Sequence, residues 1–147
     1  MKNFLPYAHH SLDESDRKAV NEVLLSSTLT RGPYVEQFEK ELATYVGSDF
    51  AVCFSSGSTA LEAAFQAGSL AEEDLVVSTP NTFIATVAPA KQKGAFIDLV
   101  DIDEQGNIDL QQALDAVHKP RTRGKTFFVP VHFAGRPVDM PTFFENI

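Results

Sequence analysis

Residues 53–68 read CFSSGSTALEAAFQAG. An apolar run breaks into four small residues, Ser55, Ser56, Gly57 and Ser58, and passes at once into a pattern in which Ala60, Leu61, Ala64 and Phe65 share one helical face. A polar loop this short, opening onto a helix N-terminus, leaves backbone N–H groups without intrahelical partners, and the helix dipole there favours an anion. Two readings of Gly57, Ser58 and Thr59 stay open at this level: a cradle for a phosphate, or a plain helix cap. The stretch is not a P-loop, because no Gly-Lys-Ser/Thr follows, and it is not a dinucleotide fingerprint, because GxGxxG is absent.

Outward from that motif, helix and strand signals alternate. On its N-terminal side, SLDESDRKAVNEVLLSS offers Ser11 as N-cap with Glu14 three residues on, and Val20, Val23 and Leu24 at helical spacing, which predicts a helix over about 12–26. TLTRGPYVEQFEKELATYVG turns at Gly32-Pro33 and predicts a second helix through Val35, Phe38, Leu42 and Tyr45 that stops at Gly47. FAVCFS reads as a short buried strand. On the C-terminal side come LVVST (strand), NTFIATVAPAKQK (helix, stopped by Gly94), AFIDLVDI (strand), LQQALDAVH (helix) and TFFVPVHF (strand). Strands separated by helices of this length make βαβ units, so the expected fold is α/β, three-layer, with a mostly parallel sheet and helices on both faces. Ligands of such sheets bind in the crevice at the C-terminal strand ends, where three polar clusters fall together: SSGST, STPNTF and HFAGRPVDM.

The bulk properties fit one core. The chain has 147 residues, 44% hydrophobic and 22% charged, with a net charge of −8. The acidic balance argues against nucleic acid or an anionic membrane as partner. No apolar run reaches the roughly eighteen residues a spanning helix needs, and the N-terminus lacks a signal-peptide core, so the expected location is the cytoplasm. Cys53, the single cysteine, lies in an apolar run and reads as a buried, inert thiol. His9 and His10 are adjacent and no CxxC exists, so no metal site is expected.

Two further residues are site candidates. Phe83 follows the polar turn Pro80-Asn81-Thr82, where an aromatic can stack on a planar ring or join the core. His132 ends the last strand, as a site residue or as a hydrogen-bonded structural histidine. The sequence stops at DMPTFFENI inside a helical pattern with no stop signal, and Phe143, Phe144 and Ile147 call for a partner, so the end reads as premature.

LTRGPYVEQFEKELATYVG, AVCFSSGSTALEAAFQAG, STPNTFIATVAPAKQKGAFIDLVDID, NID and VPVHFAGRPVDM, in this order, resemble the DegT/DnrJ/EryC1/StrS sugar-nucleotide aminotransferases, fold-type I enzymes dependent on pyridoxal 5′-phosphate (PLP). The resemblance covers essentially the whole chain. It is nearest to transaminases that aminate C4 of a UDP-linked 4-keto-6-deoxy hexosamine, as in pseudaminic acid formation, and so points to cell-surface polysaccharide or lipopolysaccharide biosynthesis. It implies that Gly57, Ser58 and Thr59 hold the PLP phosphate, that Phe83 stacks on the pyridine ring, that His132 lies near the cofactor, and that Thr30 and Arg31 reach the substrate. It also implies a nucleotide-sugar substrate, glutamate as amino donor and a homodimer for the full enzyme.

The family's Schiff-base lysine, its pyridinium-pairing Asp and its C-terminal domain correspond to positions beyond Ile147. Residues 1–147 therefore read as the N-terminal part of the PLP-binding large domain, with no catalytic residue of its own. Lys91, Lys93, Lys119 and Lys125 follow no Ser-x-x pattern. Ser58 replaces the usual Thr and keeps the hydroxyl, and Glu73 replaces a turn Gly. The alternatives are a non-catalytic binding module for a phosphorylated ligand, or a gene fragment without function.

Overall fold

The structure is a computed structural model that describes residue 6 and residues 8–30, 32–119 and 123–147. The chain divides into two compact units, Met1–Cys53 and Phe54–Ile147.

The first unit carries helices α1 (Glu14–Leu25) and α2 (Pro33–Val46). Helix α1 starts two residues later than the Ser11 reading predicts. Asp13 is the N-cap and accepts from the Ser15 and Asp16 amides, while the Asp16 carboxylate accepts from the Asp13 amide at 2.9 Å. Two capping frames compete in SLDESD, and the one with carboxylates wins because an anion interacts with the helix dipole as well as with the N–H groups. Helix α2 has the predicted bounds: Pro33 occupies the first turn, where its missing N–H costs nothing, and Gly47 ends the helix at φ 72°.

The strand expected in FAVCFS does not form, since residues 51–54 carry no regular structure. A strand exists only through a paired neighbour, and the Cys53 amide instead donates to the Glu39 carboxylate on α2 at 2.7 Å. Cys53 is exposed, which corrects its reading as a buried thiol.

The second unit runs α3 (Gly57–Ala67), β1 (Leu75–Ser78), a 3-10 turn (Ile84–Thr86), α4 (Ala88–Lys93), β2 (Phe96–Leu99), α5 (Leu110–His118), β3 (Thr126–Phe128), a second 3-10 turn (Phe133–Gly135) and α6 (Met140–Glu145). The one helix expected over residues 81–93 is broken in two, with Pro89 in the first turn of α4 and Gly94 at φ 79° as the predicted stop. All three strands are shorter than their apolar runs. Beyond β3, Pro130 has no N–H to donate to a ladder.

The sheet order is β2-β1-β3, all parallel, with Leu75 opposite both Phe96 and Thr126. Strand β1 is central and its four residues are buried, as a strand covered on both faces must be. Its alternation sends Val76 to one face with Phe65, Leu70, Ala90 and Ala95 from α3, α4 and their flanks. Leu75 and Val77 go to the other face with Val100, Ile108, Leu114, Val138 and Phe143, which α5 and α6 help supply. The result is the expected three-layer α/β arrangement. Phe143 is 2% exposed and stacks on Phe128 at 3.9 Å between ring centroids, so its burial alone stabilises the unit by about 2–3 kcal/mol.

Candidate functional site at the C-terminal edge of the sheet

Every loop that leaves a strand of a parallel sheet emerges on the same edge. Here these are residues 79–83 after β1, residues 100–109 after β2 and residues 129–139 after β3. Helix α3 is brought to that edge by its other end. Lys125, just before β3, donates from Nζ to the Gly68 and Ser69 carbonyl oxygens at 2.7 and 3.0 Å, which fixes the α3 C-terminus at the start of the strands. Eleven helical residues rise about 16 Å, so the α3 N-terminus reaches the strand exits.

At that N-terminus the cap forms and still leaves donors unused. Ser56 is the N-cap: its hydroxyl accepts from the Thr59 amide at 3.3 Å. The Thr59 hydroxyl accepts from the Ser56 amide at 3.2 Å and donates to the Ser56 carbonyl oxygen at 2.8 Å. Thr59 is thus committed to the capping box, and Ala60 donates to the Ser56 carbonyl. The Gly57 and Ser58 amides and the Ser58 hydroxyl are used by no hydrogen bond among the described residues. No acidic side chain occupies the first turn, and a Cβ placed on Gly57 would meet nothing within 4 Å. Two free N–H groups, one hydroxyl, an open backbone and the positive end of a helix make a donor set that fits a phosphate.

Phe83 is 73% exposed, so it has not joined the core. The turn before it is held locally, with Asn81 donating its amide to Thr79 Oγ1 at 3.3 Å and the Thr82 and Thr86 hydroxyls 2.8 Å apart. His132 is exposed and is also hydrogen-bonded: its Nδ1 accepts from the Val138 amide at 2.9 Å. Cradle, Phe83 and His132 therefore share one edge of the sheet. Thr30 lies after α1 in the first unit, and Arg31 lies outside the described residues. Lys91 and Lys93 sit in the last turn of α4, Lys119 caps the end of α5 and Lys125 clasps α3, all at helix ends that feed the strand starts.

The sequence reading missed the residues that tie these loops together. Buried Asn107 accepts from the Phe133 amide at Oδ1, 3.0 Å, and donates from Nδ2 to the Arg136 carbonyl oxygen, 3.3 Å. Asn81 Nδ2 donates to the Gly106 carbonyl oxygen at 3.0 Å, and the Ser78 hydroxyl donates to the Val129 carbonyl oxygen at 2.8 Å. The available signal was DEQGN, an Asp-led turn with a glycine, but a turn reading gives no long-range partner.

Comparison with known proteins gives the family and the fold. Residues 10–145 match the DegT/DnrJ/EryC1/StrS aminotransferase family. The spore coat polysaccharide biosynthesis protein SpsC of Bacillus subtilis is 40% identical over 94% of this chain and 35% of its own length. A UDP-4-amino-4,6-dideoxy-N-acetyl-beta-L-altrosamine transaminase of Campylobacter jejuni is 35% identical over 92% of this chain and 36% of its own. The solved structure of PseC from Helicobacter pylori, an aminotransferase involved in the biosynthesis of pseudoaminic acid, superposes with a TM-score of 0.84 at 32% identity, over 95% of this chain and 37% of that one. The chain thus spans about a third of the length of the relatives it matches. With this fold, and with its strand-exit edge arranged as described, the chain belongs to the DegT/DnrJ/EryC1/StrS aminotransferase family.

Proposed function

We propose that residues 1–147 are the N-terminal part of the PLP-binding domain of a nucleotide-sugar aminotransferase that uses glutamate to aminate a 4-keto-6-deoxy sugar in cell-surface polysaccharide biosynthesis. The observation that carries this reading is the α3 N-terminus, where the free Gly57 and Ser58 amides and the Ser58 hydroxyl face an open approach at the strand-exit edge. The activity for which the Campylobacter relative is named supports the sugar class and the C4 position.

PLP, when bound, supplies the electron sink for transamination. The residues of this chain bind and orient it. Gly57 and Ser58 would hold the phosphate, Thr59 keeps their amides aligned through the capping box, Phe83 would stack on the ring, and His132 would lie near the cofactor. Thr30 and Arg31 belong to the substrate side. In this reading the Schiff-base lysine and the pyridinium-pairing acid belong to the roughly two thirds of the relatives' length that residues 1–147 do not span, and these residues contribute PLP binding rather than transamination. The full enzyme is a cytoplasmic homodimer in this reading. Among the described residues, no helix is long and apolar enough to cross a membrane.

The test is PLP titration of the chain by absorbance and 31P NMR, followed by borohydride reduction and mass spectrometry. The expected result is weak saturable binding, about tenfold weaker in Ser58→Ala, the size expected for one hydrogen bond to a charged group. Stoichiometric labelling of one lysine, lost in Ser58→Ala, would overturn the non-catalytic part of the reading. Absence of any Ser58-sensitive binding would overturn the cradle.

A further inference from the structure

We infer that Asn107 is a positioning residue that fixes His132 as a hydrogen-bond donor at the strand-exit edge; the role of that donor rests on the functional reading above. The segment that carries His132 is not held by regular structure. It contains Ala134 at φ 50° and Gly135 at φ 77°, two successive left-handed residues, of which the first has a side chain that disfavours that region. Such a backbone persists only where its surroundings hold it.

Asn107 supplies the hold from across the edge. Its Oδ1 takes the Phe133 amide, immediately after His132, and its Nδ2 reaches the Arg136 carbonyl, so the two left-handed residues are bracketed by one side chain. The bracket is closed by Val138, whose amide donates to His132 Nδ1 at 2.9 Å. Asn107 is itself anchored on both sides: its amide donates to Asp103 Oδ1 at 3.1 Å, and its carbonyl accepts from the Asp103 amide at 2.8 Å. The turn that holds it is tied in addition to the loop before Phe83, through Asn81 and Gly106.

The chemical consequence is at the imidazole. With Nδ1 engaged as acceptor, the neutral ring carries its proton on Nε2, and no hydrogen bond among the described residues uses Nε2. His132 therefore offers one directed N–H donor, suited to an anionic or carbonyl oxygen of a ligand at this edge. Asn107 touches no such ligand, and acts through the loop.

The test uses the 15N-labelled chain without ligand, so it is independent of whether PLP is the partner. In the wild type, a scalar coupling between the Val138 amide nitrogen and His132 Nδ1 should be visible across their hydrogen bond. In Asn107→Ala that coupling should vanish, and the Phe133 and Val138 amides should exchange at least tenfold faster while those of Val76 and Val77 in β1 keep their protection. In Asn107→Asp the acceptor is retained and the Arg136 tether is lost, so Phe133 stays protected and Val138 exchanges at least tenfold faster. An unchanged Val138 coupling and exchange rate in Asn107→Ala overturns the inference. Should that variant not fold, unchanged Val138 exchange in Asn107→Asp overturns it equally. Failure of the wild type to bind PLP would sink the functional reading and leave the Asn107 bracket standing.

Discussion

Lys125 donates from Nζ to the carbonyl oxygen of Gly68 at 2.7 Å, and this contact joins the start of β3 to the end of α3. The same ammonium lies 5.7 Å from the centroid of the Phe127 ring, and a Cβ on Gly68 would meet Phe127 Cε1 at 2.5 Å. Helix and strand approach this closely because position 68 has no side chain. A cation at a helix C-terminus also offsets the negative end of the dipole. The far end of the same helix carries the free Gly57 and Ser58 amides, so a contact at one edge of the sheet aims donors at the other.

Lys125→Met keeps most of the stem and removes the charge. The ammonium is exposed, so water competes for it, and the expected loss is about 1 kcal/mol in denaturant unfolding. PLP binding should weaken alongside stability as the α3 C-terminus frays. A stability unchanged within error would show that the Gly68 and Phe127 packing alone sets the helix.

Asp74, 1% exposed, begins β1 by accepting from the Ala71 amide at 2.8 Å and the Lys125 amide at 2.7 Å. Asp74→Ala strands two amides in a site with no replacement acceptor, and each buried orphan costs roughly 1–3 kcal/mol. The expected destabilisation is therefore about 2–6 kcal/mol, enough to unfold a marginal domain at 37 °C. Asp74→Asn, which can still accept one of the two bonds, should lose about half as much. Thermal melts of the pair decide it, and equal losses would count against the two-bond account.

Acid should loosen the helices before anything else. Asp13 is held below the usual carboxylate value of 3.8 by the Ser15 hydroxyl and then by backbone amides, Asp109 by the Gln112 amide, and Asp139 by the Thr142 hydroxyl and amide. A folded value below the unfolded one means that the stabilisation is complete above about pH 4 and fades as pH falls through the lowered values. Far-UV circular dichroism should be flat from pH 7 to 5 and lose helix below pH 4. Replacing all three by Asn, which still caps but does not titrate, should flatten that limb. An acid limb as steep as the wild type's would place the titration elsewhere.

What the sequence disclosed, and what it hid, divides along the range of the interaction. Gly32-Pro33 and Gly47 set the bounds of α2 because caps are local, and LVVST marked the central strand because burial on both faces favours a continuous apolar run, with the buried Ser78 satisfied by the Val129 carbonyl. The start of α3 was legible for the same reason, as four consecutive small residues before a helix. FAVCFS failed because an apolar run cannot report whether a neighbouring strand lies beside it, and Cys53 failed with it. Ser11 lost to Asp13 in a local competition that spacing alone does not rank. Asn107 was invisible as a clamp, since its partners lie 26 and 29 residues away and only the folded edge brings them together.

Gly106 shows how tightly that edge is drawn. Its φ of 88° favours glycine, and a Cβ there would meet Phe133 Cδ1 at 2.7 Å and Asn81 Nδ2 at 3.4 Å. In Gly106→Ala the left-handed backbone costs roughly 1 kcal/mol, and the clash must move either the Phe133 ring or the turn itself. The Phe133 ring is 41% exposed and can swing outward, which keeps the total near 2 kcal/mol and leaves the sheet intact. The swing would pull the Phe133 amide from Asn107, however, so the loop bearing His132 should loosen more than global stability falls. Amide exchange at Phe133 and Val138, set against exchange at Val76, measures that difference: a preferential rise at the first two is expected, and a uniform rise across all three would mean that the turn and the sheet unfold as one unit.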